Sequence, residues 1–192
     1  MGTKSDKKIW RYLAGWCICW TWSTVGAHVQ QWPLDPMHSR FDFQIQPRLG
    51  PAIYGTFPKY EGFVQRHVNG QESILLRFYT KDAEIFGEPF MTNHLRGEDF
   101  FDAHHFPVIE FRSDIHPTSL LKNGGTMSGV LTMRNTSHVV TFQILPAECS
   151  TPGHGCDVVA TGGVHRTDFG MGHLLFLIDN FVKFSWRGRV LQ

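Results

Sequence analysis

Apolar and polar residues alternate with a period of two along most of the chain beyond residue 40. Phe41, Phe43 and Ile45 alternate with Asp42, Gln44 and Gln46 until Pro47 to Pro51 breaks the run. Ile74, Leu76 and Phe78 alternate with Leu75, Arg77 and Tyr79, and Asn69-Gly70 before them is a strong hairpin signal. Ile109, Phe111 and Ile115 fall on one side of the next run, with Glu110, Arg112 and Asp114 on the other. After a turn signal at Asn123-Gly124-Gly125, Met127, Gly129, Leu131 and Met133 share a face. Val140, Phe142 and Ile144, then Val158 and Ala160, then Val182, Phe184 and Trp186 continue the pattern. This period marks half-buried strands, and many short ones between Gly/Pro turns predict an all-β sandwich or barrel. No repeat or low-complexity linker divides the 192 residues, which suit one domain with a real core.

Helix is sparse. Thr92 to Phe101 predicts a turn or two, weakened by Gly97. This piece carries Leu95, Phe100 and Phe101, is stopped by Pro107, and feeds the Ile109 strand. A cap leading into a strand suggests a barrel with a lid, and a closed apolar barrel can hold an apolar ligand. Met171 to Ile178 reads equally as a short helix or a buried strand. Gly162-Gly163 within a strand-like run suggests a bulge.

Residues 1–27 follow a different pattern. Lys4, Lys7, Lys8 and Arg11 make a cationic start, Leu13 to Trp22 is mostly apolar, and Val25-Gly26-Ala27 offers small residues before His28. That is the layout of a secretory signal, with cleavage expected after Ala27 and a mature domain of 28–192. The apolar run is too short to span a bilayer. Trp10, Trp16, Trp20 and Trp22 keep an uncleaved interfacial anchor open as the rival. Cys17 follows Trp16, unlike the small residue that precedes a lipid-attachment cysteine. Export to the periplasm or beyond leaves Cys149 and Cys156, a pair read as a disulfide across a Pro/Gly turn.

A net charge of +1 without a basic stripe argues against nucleic acid. Sixteen phenylalanines fit a ring-filled β core; the sharper reading is that some of them line a cavity. Phe41, Phe43, Ile45, Phe57, Phe111 and Met133 would then face one interior, with Leu95, Phe100 and Phe101 at its mouth and Phe169 and Met171 beside it. Eleven histidines show no zinc-type spacing, and neither a G-x-S-x-G elbow nor a phosphate loop occurs. No metal, cofactor or catalytic residue is therefore assigned. His38 is out of phase with Phe41 and Phe43; it suits a hydrogen bond at the strand start or a contact to a ligand head group.

Several segments resemble the YceI family. Asp35-Pro36-Met37-His38-Ser39 with Phe41 and Phe43 resembles its opening, and Gly55-Thr56-Phe57 with Glu61-Gly62 a later motif. His94-Leu95 with Phe100-Phe101-Asp102, Ser128 to Met133, and Arg166 to Met171 follow in order, from about Trp32 to the C-terminus. Asn135 stands where the family often has a turn glycine, and the cysteine loop looks like a local addition. The resemblance implies a single antiparallel lipocalin-like β-barrel with one or two short helices. It also implies a bound long-chain isoprenoid or other amphiphilic lipid, for transport, storage or sequestration and without catalysis. A transient membrane contact and a homodimer through exposed strand edges are compatible with it. Two other readings stay open. One is an interaction module with a filled core. The other is an enzyme using His38, His94 or His165 with Asp168 on a lipid-like substrate.

Overall fold

The computed structural model describes Gly2 and residues 30–191. Apart from Gly2, the expected signal segment, with Cys17 and Cys19, lies outside the described residues. Eleven strands form one antiparallel sheet: β1 (Gln30–Pro33), β2 (Arg40–Ile45), β3 (Ile53–Thr56), β4 (Tyr60–Arg66), β5 (Glu72–Tyr79), β6 (Glu84–Ile85), β7 (Val108–Ser113), β8 (Gly125–Met133), β9 (Thr136–Ile144), β10 (Val158–His165) and β11 (Phe181–Gly188). Their spatial order is β1-β4-β5-β7-β8-β9-β10-β11-β2-β3-β6.

The sheet curls until it meets itself. Leu34, just past β1, bridges Val190, just past β11. The Asp35 amide donates to the Arg189 carbonyl at 2.8 Å, and the Leu191 amide to the Pro33 carbonyl at 2.9 Å. The Ser39 hydroxyl donates to the Arg189 carbonyl and accepts from the Arg189 amide. β2 then continues along β11, from Arg40↔Arg187 to Lys183↔Gln44. The result is the lipocalin-like barrel, with the alternating apolar residues turned inward. On β8, Met127, Gly129, Leu131 and Met133 are all buried. The β8–β9 turn works without glycine because Arg134 and Asn135 both take a left-handed backbone (φ 51° and 57°).

Four expectations need correction. α1 spans Pro89–Arg96, not Thr92 to Phe101: proline suits the first helical turn and Gly97 ends it. Phe100 and Phe101 follow in turns, with the Phe101 amide donating to the Leu95 carbonyl. Ile115 is exposed, since β7 ends at Ser113. Asn123-Gly124-Gly125 closes a short helix, α2 (Ser119–Asn123), rather than a hairpin. Gly162 and Gly163 lie in an unbroken register with Phe184 and Lys183 and form no bulge against β11. A Cβ on Gly162 would come within 2.6 Å of the Phe142 ring, so the missing side chain makes room for that ring.

β9 and β10 share only three pairs, Ala160↔Ile144 to Gly162↔Phe142. Beyond Gly162 the two strands part. The Arg166–Phe169 turn fills the opening with Phe169, which is 1 % exposed and packs edge-on against His138. His138 Nε2 donates to the Asp168 carbonyl at 2.9 Å, holding the turn in place.

Cys149 and Cys156 are disulfide-bonded. Their loop is stitched to the closing seam, because the Val190 amide donates to the Gly153 carbonyl at 2.8 Å. The cystine therefore pins one end of the barrel as well as the β9–β10 connection.

Candidate functional site

Four cavities follow one another through the barrel. A groove of about 970 Å³ opens at the lid end, beside α1 and the 171–178 segment. Below it lie voids of about 30 Å³ and about 50 Å³. A pocket of about 440 Å³ opens at the disulfide end. Neighbouring cavities share walls. Ile45, Leu95, Phe100 and Ile178 join the groove to the first void. Met133 and Phe184 join the two voids, and Met127 and Trp186 join the second void to the lower pocket.

The expected interior residues are brought together. Phe41, Phe57, Phe111 and Met133 line the larger void, and Phe43, Ile45, Leu95, Phe100, Phe101, Met133 and Met171 line the smaller. All are buried. Their rings touch in a chain: Phe43 to Phe57 at 5.3 Å, Phe57 to Phe78 at 5.1 Å, Phe78 to Phe41 at 4.8 Å. Phe169 stands apart from them in the β9–β10 opening. Small-molecule pockets occupy roughly 300–1,000 Å³. Both ends reach that size and the middle does not, so the central rings act as packing between two open ends. The lid end is apolar on its outside too: Phe90, Phe176 and Leu177 are exposed there.

The lid-end segment is shaped by Arg166, which is 2 % exposed. Its guanidinium donates to four backbone carbonyls: Met171 at 2.9 Å, His173 at 2.6 Å, Ile178 at 3.1 Å and Asp179 at 3.1 Å. The guanidinium also lies over the Phe100 ring at 5.9 Å. Burial pushes its pKa below the ordinary arginine value. Those four carbonyls take the run Met171 to Ile178 out of both helix and strand; it forms turns, with only Ile178 bridging Pro47.

His38 is exposed, and its Nδ1 meets the Asp35 carboxylate at 2.5 Å. That hydrogen bond holds Asp35 Oδ2 next to the closing seam and lowers the Asp35 pKa. The other histidines considered for chemistry have separate partners: His94 packs on Phe90 at 4.5 Å and His165 on Phe181 at 5.3 Å, and Asp168 is exposed.

The disulfide-end pocket holds polar groups that the sequence did not single out. Glu72 is buried and paired with Arg66 at 2.8 Å, and that guanidinium lies over Trp32 at 5.0 Å. His116 is buried beside them and exchanges backbone hydrogen bonds with Glu72. Trp32 and Trp186 contribute indole walls. Trp186, Ile74, Met127 and Val158 were visible beforehand as positions of alternating strands; Trp32, Arg66, Glu72 and His116 depend on how β1, β4, β5 and the segment after β7 converge.

Burial pushes the His116 pKa below the ordinary value of roughly 6.5. Above that pH the imidazole is neutral in both folded and unfolded chains, and its contribution to stability is complete. As pH falls, the unfolded chain takes up the proton first, so stability is lost toward the lowered native value. The urea midpoint is expected to fall as the pH drops below about 6.5, and to fall less in His116→Gln. Equal falls in both proteins would remove His116 as the cause.

The YceI-like domain model matches residues 32–188. The chain belongs to the YceI family. No curated protein matches it. Among solved structures, Burkholderia cenocepacia BcnA is similar to this YceI-family chain at 18 % identity and a TM-score of 0.68, over 83 % of this chain and 99 % of BcnA. A polyisoprenoid binding domain from Saccharophagus degradans, implicated in plant cell wall breakdown, is similar at 13 % identity and 0.60, over 84 % of this chain and 97 % of that one. The Campylobacter jejuni YCEI protein is similar at 18 % identity and 0.52, over 72 % and 84 %. These are likenesses of fold, and they agree with the barrel derived above.

Proposed function

We propose that this YceI-family protein binds a long-chain isoprenoid or other amphiphilic lipid, for transport, storage or sequestration outside the cytoplasm. The observation that carries this reading is the series of four cavities with shared lining residues, apolar in the middle and mostly apolar at both ends. Each buried methylene contributes about 0.8 kcal/mol, so ten give roughly 8 kcal/mol before the cost of immobilising the chain. Such a path selects by length and cross-section. The central rings must turn for a chain to pass between the two voids that Met133 and Phe184 both line. The polyisoprenoid binding domain of similar fold supports the ligand class. The disulfide suits an oxidising compartment. Exposed Phe90, Phe176 and Leu177 suit transient contact with a membrane at the lid end.

One observation favours a second reading. Voids of about 30 and 50 Å³ also fit an interaction module whose core is filled by its own rings. Mass spectrometry of an organic extract separates the two. The protein, purified from a periplasm without detergent, is expected to yield a stoichiometric long-chain lipid. An empty extract, repeated after incubation with isoprenoids and fatty amides, would shift the assignment to the filled core.

A further inference from the structure

Among the described residues, two buried side-chain polar atoms lack a hydrogen-bond partner, and one is Nε1 of Trp186. A buried donor left unmade costs about 1–3 kcal/mol, so its position needs a reason. Trp186 stands where the lower pocket meets the axial void and lines both. Its ring is fixed by stacking on Phe41, with centroids 5.9 Å apart and planes 7° from parallel. Gly188, two residues on, forms part of the pocket wall. A Cβ there would lie 2.7 Å from Nε1, so a side chain at that position would crowd the indole N–H. Several of the polar groups around the pocket are already engaged. Arg66 holds Glu72, the Ser73 hydroxyl meets His67, and His116 Nδ1 lies 3.3 Å from the Pro117 carbonyl.

We propose that the pocket at the disulfide end is a head-group site, in which Trp186 Nε1 donates to an uncharged acceptor oxygen (a carbonyl, ether or hydroxyl) of an amphiphile. The assignment rests on the lipid-binding reading and adds which end holds the polar group. The acceptor is uncharged because Glu72 and Arg66 neutralise one another, because Lys122 on the same wall is exposed and keeps its charge in water, and because the adjoining void has apolar walls that would not solvate an ion. The tail leaves past Met127 and Trp186 toward the lid. A single neutral hydrogen bond in a dry pocket discriminates an oxygen-bearing chain from a plain hydrocarbon without adding a charge to a barrel built of rings.

The test compares 2-heptadecanone with heptadecane as probes, on the wild-type protein and on Trp186→Phe, which keeps the ring and removes the donor. The wild type is expected to bind the ketone roughly 3- to 10-fold more tightly than the alkane. Trp186→Phe is expected to lose that preference while its alkane affinity stays within about twofold. The indole N–H proton of Trp186 is expected to shift on adding ketone and not alkane, and Gly188→Ala to abolish both the shift and the preference. A ketone preference that survives Trp186→Phe overturns the head-group assignment and leaves the lipid reading standing. So does equal binding of both probes by the wild type, or an indole shift identical for both. Failure of both probes to bind at all overturns the lipid reading, and the head-group site with it.

Discussion

Replacing Arg166 with methionine is expected to lower stability by about 3 kcal/mol and to loosen the lid-end segment. Methionine fills much of the same volume, so the loss is electrostatic. Four carbonyls, those of Met171, His173, Ile178 and Asp179, lose a charge-assisted donor together. Hydrogen bonds to a charged group contribute about 1.5–3 kcal/mol each. Three of the four are only partly buried and recover some of that from water, and removing a desolvated cation returns a further part. Arg166→Lys is expected to recover little, because one ammonium cannot address carbonyls arranged around a planar fork. The urea midpoint measures the stability, and limited proteolysis within 171–178 measures the loosening. A variant with an unchanged midpoint and an unchanged cleavage pattern would show that the segment keeps its path without the guanidinium. Because Phe176, Leu177 and Ile178 wall the lid-end groove, the same change should weaken ligand retention more than the fall in stability alone explains.

Phe57→Ala carries the other large effect. Phe57 is 3 % exposed and its ring meets Phe43, Phe78 and Phe101 at 5.3, 5.1 and 5.7 Å. Removing a buried phenylalanine ring typically costs about 3–5 kcal/mol, part of it from the cavity left behind. Here that cavity merges with the void of about 50 Å³ on the axial path. Added long-chain lipid is therefore expected to restore more of the melting temperature in Phe57→Ala than it adds to the wild type, since binding to the native state alone stabilises by mass action. A variant destabilised as expected but indifferent to lipid would place Phe57 in a core that no ligand enters. The charged alternative, Phe43→Asp, is a poorer probe: a carboxylate at that 3 % exposed position would disturb folding itself.

The strands were legible because their signal is local, whereas the choice of a barrel over a sandwich came from the resemblance to the YceI family. Inward positions of β5, β8 and β11 follow from period two, and the Arg134-Asn135 turn follows from the tolerance of asparagine for a left-handed backbone. The segment 171–178 was not legible. Its apolar run permits helix or strand, and the path is decided by one arginine whose side chain collects carbonyls from as far on as Asp179. The eleven apolar candidates are all buried, ten of them against the axial voids and Phe169 in the β9–β10 opening, yet sequence could not tell lining from filling. That distinction depends on ring orientation and on small residues opposite. Gly55 admits the Phe43 ring and Gly129 the Phe111 ring, each too close to tolerate a Cβ. The lower pocket was missed because Trp32, Glu72 and His116 carry no shared motif and meet only through long-range pairing.

The seam that closes the barrel joins Ser39 to Arg189, 150 residues apart in the chain. The strands from β4 to β11 instead stand in sequence order around the sheet, apart from β6, and zip neighbour to neighbour. Closing a long loop costs more entropy than closing a short one, so the seam is expected to form last during folding. Until it does, the inner face is an open trough, accessible along its length rather than at two ends. A hydrophobic molecule taken up at that moment would be wrapped by the chain as it folds, with no need to thread past Met133 and Phe184. Loading would then be an event of biogenesis, and the ring-packed middle a barrier to exchange afterwards.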